Sequence, residues 1–389
     1  MFTIFGNHDD GTLLQMETCL NVGGTHAVLC ADGHKGYSQP VGGVVAYKGK
    51  ISVSGVGFDI ACGNLACKTD ARLVDVLPHI NKIMDDMVAQ ISFGVGRYND
   101  TPIDHELFND EAWSMPEIHS MKQKAAAQLG TVGSGNHYVD IFEDEEGWIW
   151  VGVHFGSRGF GHGTATKFLS LAGGKDGMDV PPTLIDEESE LGQGYIAAMN
   201  LAGRYAYAGR EYVARLVSTK IIGAHITEEI HNHHNFAWRE NHFDEDMWVI
   251  RKGATPAFPG QKGFVGGSMG DNAVIIEGVD STLSARSLYS TVHGAGRVMS
   301  RTAARGRFVR DENGKKQRQP GLVRHDEMMK WVNDKGVCLR GADLDEAPQA
   351  YRRLPEVLKE HAGTIKILHT LRPIGVAMAG KDIVDPWKD

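Results

Sequence analysis

The run Gly55-Val56-Gly57-Phe58-Asp59-Ile60-Ala61-Cys62-Gly63 sets a carboxylate and a thiol three residues apart in a glycine-rich stretch. Glycine lifts the steric limit on φ, so Gly57 and Gly63 are expected to let the backbone turn sharply enough for Asp59 and Cys62 to face one point. Further along stand His137, His154 and His234. A hard oxygen, a soft sulfur and imidazoles together suit zinc, manganese or iron(II) better than calcium or magnesium. Alone, Asp59 and Cys62 are equally well explained as a buried turn, the carboxylate capping amides and the thiol packing as a small hydrophobe. The histidines shift that reading toward a metal site.

Glycines give two of those histidines reach. His137 follows Gly133-Ser134-Gly135-Asn136 at the mouth of an expected strand, and His154 leads into Phe155-Gly156-Ser157-Arg158-Gly159 at the end of the next. His231-Asn232-His233-His234-Asn235 is expected to close a long helix, where imidazolium would also suit the helix dipole. One thiolate, one carboxylate and three imidazoles exceed what a single four-coordinate ion takes, and a cysteine bridging two metals would absorb the surplus.

Arg251-Lys252-Gly253-Ala254 and Gly266-Gly267-Ser268-Met269-Gly270 have the look of phosphate-facing loops, in which successive backbone N–H groups form an anion nest. Neither is a GxGxxG fingerprint or a P-loop, and most glycine loops are only turns. In His293-Gly294-Ala295-Gly296-Arg297 a histidine in a glycine turn precedes an arginine by four residues. It could be a nucleophile whose phosphorylated or nucleotidylated form is steadied by the guanidinium. A tight turn with a salt-bridged arginine fits the local sequence as well.

The elements that must carry these residues alternate between strands and helices. Residues 25–56 read as strands (Ala27-Val28-Leu29-Cys30, Val44-Val45-Ala46-Tyr47, Ile51-Ser52-Val53), with turns at 32–36 and 48–50. Residues 72–92 have helical spacing, with Pro78 at a start or kink. Residues 98–116 are polar and irregular, and 121–129 reads as a short helix. Strands are expected over 137–142 and 148–154 around an acidic hairpin loop at 143–147. A loop follows at 173–184, then a long helix over about 191–230, with Ile196, Met199, Leu201, Tyr205, Tyr212 and Leu216 on one broad face. β-type runs return over 247–300. A basic arm covers 297–318, most simply a solvated face. An amphipathic helix is expected over 352–368.

With 389 residues, 42% of them apolar and 23% charged, the chain is long enough for a large core and too apolar to be disordered. Its 48 glycines predict many tight turns and close approaches. A net charge of −9 excludes a generic polyanion binder, so nucleic-acid contact needs a local basic patch. Five cysteines without regular spacing argue against a secreted disulfide framework. No apolar run reaches membrane-spanning length, and the first 15 residues lack a signal peptide's basic and apolar regions. A cytoplasmic protein without membrane contact is expected. With no repeat or linker, and motifs spread from 32 to 300, residues 1–389 are expected to form one composite domain.

In order along the chain, CADGHKGYSQPVGG, GVGFDIACG, GSGNHYVDI, HFGSRGFGH, HNHHNFAWRE, RKGAT, GGSMG, HGAGRVMSRTAA and DEAPQAY resemble the RtcB family of RNA ligases. The match spans about residues 25–380. The resemblance implies a mixed α/β (α+β) fold with central β-sheets and peripheral helices. It also implies a GTP-dependent ligase with two Mn2+ ions that joins RNA 3′-phosphate or 2′,3′-cyclic phosphate ends to 5′-hydroxyl ends, in RNA repair or tRNA splicing. Asp59, Cys62, His137, His154 and His234 would hold the metals, with Cys62 bridging. His293 would attack the GTP α-phosphorus and carry GMP. Asn136, Asn235 and the loop Gly267, Ser268, Met269 and Gly270 would bind nucleotide, beside Gly294, Ala295, Gly296 and Arg297, with Tyr351 near the guanine. Whether a partner such as archease is needed stays open.

The chain departs from the family in two places. The family ends in a Lys-Gly pair whose lysine contacts guanine, whereas here Lys381 follows Gly380 and eight residues continue. Asp140 stands where a glutamate is usual. The alternatives are a nucleotidyltransferase that caps 3′-phosphate ends with little ligation, and a non-catalytic, metal-containing RNA-binding relative.

Overall fold

The structure, a computed structural model, describes residues 2–310, 312, 314 and 316–381. It is a mixed α/β architecture of two main sheets with helices packed around them. The first sheet has the strand order Phe2–Ile4, His26–His34, Val41–Tyr47, Glu245–Lys252, Asn235–His242. The second runs Lys262–Val265, Ala273–Gly278, Ile365–Gly380, Tyr138–Glu143, Trp148–Phe155, Gly63–Arg72, Ile226–His233, with Cys338–Ala342 alongside Ile365–Gly380. Its two edges are stitched together: Asn64 Nδ2 donates to the Phe264 carbonyl at 2.8 Å, and the Phe264 amide donates to Asn232 Oδ1 at 3.1 Å. The sheet is thereby nearly closed, and the N–H and C=O of Phe264 on its edge strand find side-chain partners.

Register in this second sheet decides where chemistry gathers. Tyr138 pairs with His154, Gly63 with Phe155, and Gly63 with His233 on its other side. Residues entering or leaving these strands therefore meet at one end of the sheet. Gly63 is required there by close approach, since a Cβ would lie 2.2 Å from the Asn232 carbonyl oxygen. The sharp backbone turn comes instead from Gly57 (φ +87°) and from Ala61 (φ +60°), an unusual conformation for a residue with a side chain.

Several elements differ from expectation. Residues 32–34 are not a turn: the strand His26–His34 carries Asp32 into the interior. The long helix stops early. Its α-helical part is Glu190–Arg215, a π-helical turn Leu216–Ile222 follows, and Gly223 (φ +82°) ends it in the left-handed conformation. His231 and His233 thus lie on the strand Ile226–His233, not on a helix end, and β-branched Ile226 and Thr227 suit that state. Met199, Leu201 and Tyr205 of the expected face are buried, whereas Tyr212 is 41% exposed. The last helix covers only Leu354–Glu360, and the sequence from Ile365 becomes the central strand Ile365–Gly380. Pro78 sits in a 3₁₀ turn, Leu77–His79, between two helical pieces. Of the basic arm, Arg297 and Arg301 face inward, while Arg307 lies on a two-stranded hairpin, Gly306–Arg310 with Lys316–Pro320. Lys315 and the side chains of Arg310, Lys316 and Arg318 lie outside the described residues, as do the eight residues after Lys381.

Candidate active site

At the gathered end of the second sheet, five donor side chains converge. Cys62 Sγ lies 3.3 Å from His154 Nε2 and 3.6 Å from His137 Nε2. His154 Nε2 lies 3.4 Å from His234 Nε2, and His137 Nε2 lies 3.0 Å from Asp59 Oδ2. Two donor groups result, Cys62-His154-His234 and Asp59-Cys62-His137, and Cys62 belongs to both. Around an ion with bonds of roughly 2.0–2.3 Å, tetrahedral donors sit about 3.3–3.8 Å apart, so the spacing suits metal ligation.

The protonation states suit it as well. The Nδ1 of His154 is 2.9 Å from the Asn136 carbonyl, which fixes the proton there and turns the Nε2 lone pair toward Cys62. Burial, reinforced by neighbouring imidazoles, pushes His154 and His234 well below the ordinary imidazole range, so both are neutral. For Asp59 burial acts upward, but the hydrogen bond and charge of His137 outweigh it and bring the carboxyl to about 2. Burial, and then Asp59, push the Cys62 thiol up; a cation at the site reverses that and makes Cys62 a thiolate. A thiol that a cation would deprotonate, a carboxylate and the neutral imidazoles of His154 and His234 form a donor set suited to a transition-type divalent metal.

Backbone contacts hold the frame. His234 and Asn235 amides both donate to the Cys62 carbonyl, at 2.8 and 3.2 Å, and the Ala61 amide donates to the Asn235 carbonyl at 2.7 Å. Asn235 Oδ1 accepts from the Gly253 amide at 2.6 Å. Ala254 donates to the His234 carbonyl at 3.1 Å and pairs in register with Val292, which sets the next residue, His293, beside the cluster. The His293 and His234 rings are 4.8 Å apart.

His293 is held by a residue to which the sequence analysis gave no role. Asp32 Oδ2 lies 2.6 Å from His293 Nδ1 and accepts from the His293 and Gly294 amides at 3.0 and 3.3 Å. Burial would raise the pKa of Asp32, but the charge and hydrogen bonds of His293 prevail and leave it below the ordinary carboxylate value. Asp32 engages Nδ1, so Nε2 is the ring nitrogen turned away from the carboxylate, the one a nucleophilic imidazole would use. The motif CADGHKG held the signal, an acid among strand-forming residues.

Arg210 is the second such residue. This fully buried guanidinium donates to the Ala61 carbonyl at 3.0 Å, to His231 Nε2 at 2.8 Å and to His233 Nδ1 at 3.0 Å, and also to the Phe155 carbonyl. It ties the Asp59–Cys62 turn, the end of the His154 strand and the histidine strand together. Burial lowers its pKa to about 10. An arginine among the small residues Ala206, Ala208 and Gly209 was the clue in the sequence. Of the three clustered histidines, His231 and His233 face Arg210, and His234 alone joins the donor cluster.

A cleft of about 880 Å³ opens over this cluster. Asp59, Cys62, His154, His234 and His293 line it, as do Asn136 and Asn235. Gly267, Ser268 and Met269 form one wall; Gly270 does not reach it and packs against Trp331. Gly294, Ala295, Gly296, Arg297 and Tyr351 form another. Arg297 donates to the Tyr351 hydroxyl at 2.9 Å and to the Asp345 carbonyl at 2.8 Å, and lies 3.4 Å from Glu346, so its charge is partly spent within the protein. Arg251 does not face phosphate: it is buried in a bidentate pair with Glu240 at 2.6 and 3.0 Å. Its neighbour Lys252 lines the cleft, and burial lowers its pKa to about 8. Asp140 also lines the cleft, and burial pushes its carboxyl well above the ordinary carboxylate range. Lys381 is exposed and does not line it.

Among the described residues no helix is long and apolar enough to cross a membrane, and all five cysteines are free. Comparison with known proteins matches residues 14–117 and 109–379 to the family described as tRNA-splicing ligase RtcB. The chain is 30% identical to the tRNA-splicing ligase RtcB of Archaeoglobus fulgidus, over 90% of this chain and 87% of that one. It is 29% identical to the RNA-splicing ligase RtcB of Escherichia coli K12, over 90% and 89%, and 29% identical to the Thermococcus kodakarensis ligase, over 90% and 87%. With the match running through nearly the whole chain and through every segment that builds the cleft, the chain belongs to the RtcB family of tRNA-splicing RNA ligases.

Proposed function

We propose that this RNA ligase is GTP- and manganese-dependent and works through a guanylylated His293. The observation that carries this reading is the Asp32–His293 pair, which engages Nδ1 and leaves Nε2 as the nitrogen turned away from the carboxylate, in a cleft beside two donor groups that share Cys62. His293 Nε2 attacks the α-phosphorus of GTP, a P–N bond forms, and pyrophosphate leaves. An oxygen of an RNA 3′-phosphate then attacks the same phosphorus and the imidazole leaves with its electron pair. The RNA 5′-hydroxyl finally attacks the activated 3′-phosphate and GMP departs, with 2′,3′-cyclic ends first opened to the 3′-phosphate.

Asp59, Cys62, His137, His154 and His234 would hold two Mn2+ ions, which supply charge neutralisation and orientation of the phosphates when bound. Asp32 orients His293 and stabilises positive charge as the P–N bond forms. Asn136, Asn235, Lys252 and the Gly267–Met269 wall would bind phosphates, and Tyr351 would sit near the base. The RNA ends would come from tRNA splicing or repair in the cytoplasm, with archease as a candidate activating partner. The test is incubation of the protein with manganese and radiolabelled GTP, with ATP in parallel. An acid-labile, alkali-stable protein label from GTP, absent in His293→Ala, is expected. Label from ATP as well would mean relaxed base choice, in keeping with Lys381 outside the cleft. No label from either nucleotide would remove this mechanism.

A further inference from the structure

The functional groups form a chain of contacts. His293 contacts His234 (rings 4.8 Å apart), His234 contacts His154, and Cys62 joins His154 to His137 and Asp59. Phe58 follows, and its ring lies 5.3 Å from that of His162, tilted by 35°. His162 belongs to the helix Arg158–Leu171, and the same cleft continues along it. His162, Thr166 and Ser170 recur every four residues and all line the cleft, so they form one stripe of the helix, about 12 Å long at 1.5 Å per residue. Tyr37 and Lys175 line the same arm. The wall is fixed, because the Ser38 amide donates to the Gly177 carbonyl at 3.0 Å and Lys35 pairs with Asp179 at 2.7 Å. At about 880 Å³ the cleft lies near the upper end for a single small ligand.

None of these side chains is assigned to nucleotide binding or metal ligation, although the Tyr37 carbonyl accepts from Lys252 Nζ. The arm holds three ring systems (Tyr37, Phe58 and His162), two aliphatic hydroxyls and a lysine beside Asp176, a set able to receive single-stranded RNA by stacking and by phosphate or ribose contacts. Its position selects the strand. In transfer of GMP from His293 the departing Nε2 and the incoming phosphate oxygen lie in line, on opposite sides of the phosphorus. The incoming 3′-phosphate must therefore reach the phosphorus from the side opposite His293, and the contacts running from His293 through the donor cluster to Phe58 and His162 put the arm on that side.

We infer that the helix stripe His162-Thr166-Ser170, with Phe58, Tyr37 and Lys175, is the subsite for the terminal nucleotides of the RNA strand bearing the 3′-phosphate. This inference rests on the guanylyl-transfer reading. Base stacking falls to the Phe58 and His162 rings, and the hydroxyls and Lys175 take ribose and phosphate.

The experiment uses the full-length enzyme and two separate assays. The first measures label transfer from GTP to protein without RNA; its failure in the unaltered enzyme would count against the mechanism, not against this subsite. The second measures GMP transfer from preloaded enzyme to an RNA with a 3′-phosphate and a blocked 5′ end. The Thr166→Glu/Ser170→Glu variant sets two negative charges along the path and is expected to raise the RNA KM at least tenfold, with loading within twofold. Joining of ready-made guanylylated RNA to excess 5′-hydroxyl acceptor should show an unchanged KM for the acceptor. An unchanged KM for the 3′-phosphate strand, or a rise confined to the acceptor, would overturn the assignment. A 4-thiouridine crosslink from the penultimate nucleotide of the same RNA to unaltered enzyme gives a reading independent of the variant's folding. It is expected within residues 158–175, and a crosslink confined to the 266–270 wall would equally overturn the assignment.

Discussion

His293 and Asp32, 261 residues apart in sequence, are joined by a 2.6 Å contact between Nδ1 and a carboxylate with no solvent exposure. Two backbone amides bind the same oxygen, so the carboxylate is fixed before it fixes the imidazole. The shape of this arrangement survives Asp32→Asn, but its charge does not, and the amide can leave the imidazole proton on the wrong nitrogen. Asp32→Asn is expected to slow labelling of His293 by GTP by about 10²-fold or more, the scale of a lost orienting and charge-stabilising partner. Single-turnover labelling checks this, with metal content as the control, which should not change.

Cys62 is the one residue common to both donor groups. Cys62→Ala should therefore reduce metal at both positions, while His293→Ala should leave metal content untouched and abolish labelling. Metal analysis of the two dialysed variants distinguishes them. Full occupancy by two ions in Cys62→Ala would falsify the bridging assignment.

Gly156 bears on one donor group only. A Cβ there would sit 2.1 Å from Asp59 Oδ1, too close for any real contact. Gly156→Ala should displace the Asp59 carboxylate, weaken the Asp59-Cys62-His137 position and leave the Cys62-His154-His234 position able to bind. Metal titration is expected to change from two binding events to one strong event.

Arg210 makes its contacts without exposure to water, so truncation leaves its four acceptors unsatisfied. Arg210→Ala is expected to cost about 3 kcal/mol or more, as for loss of a buried hydrogen-bond network, and to weaken metal binding through movement of the Ala61 and Phe155 carbonyls. Thermal melts of the metal-free and metal-loaded protein check both effects.

The metal-free protein should also be acid-sensitive. Burial lowers His34 and His361 to about 4 and holds His154, His231, His233 and His234 well below the ordinary value. Unfolded histidine takes up its proton near 6.5, so between roughly 6.5 and 4 the unfolded chain binds protons that the folded chain refuses. The stability that depends on these neutral imidazoles is complete above about 6.5 and falls with pH, by up to about 1.4 kcal/mol per pH unit for each group. Melting temperatures of the metal-free protein should be level from pH 8 to 7 and drop steeply from 6.5 to 5. A flat profile across that range would show that these histidines are not buried neutral.

The sequence by itself marked the candidate donors and their order along the chain. Asp59, Cys62, His137, His154 and His293 stand out because each combines a chemically able side chain with glycines that allow close approach, and His234 because it belongs to a histidine cluster; such motifs are local. It also determined most strands near them, since alternation and β-branching are local as well. Selection among equals required the tertiary structure. His231 and His233 lie two residues apart and so share one strand face, which Arg210 claims, leaving His234 to turn toward Cys62. Arg251 and Lys252 alternate in the same way, one into Glu240 and one into the cleft. The pairing of Asp32 with His293 depends on which strands neighbour which across hundreds of residues, and no spacing records that. The same holds for the conversion of an expected helix end into the strand Ile226–His233: ladder hydrogen bonds to Gly63–Arg72 outweigh local helical preference, and that partner lies more than 150 residues away.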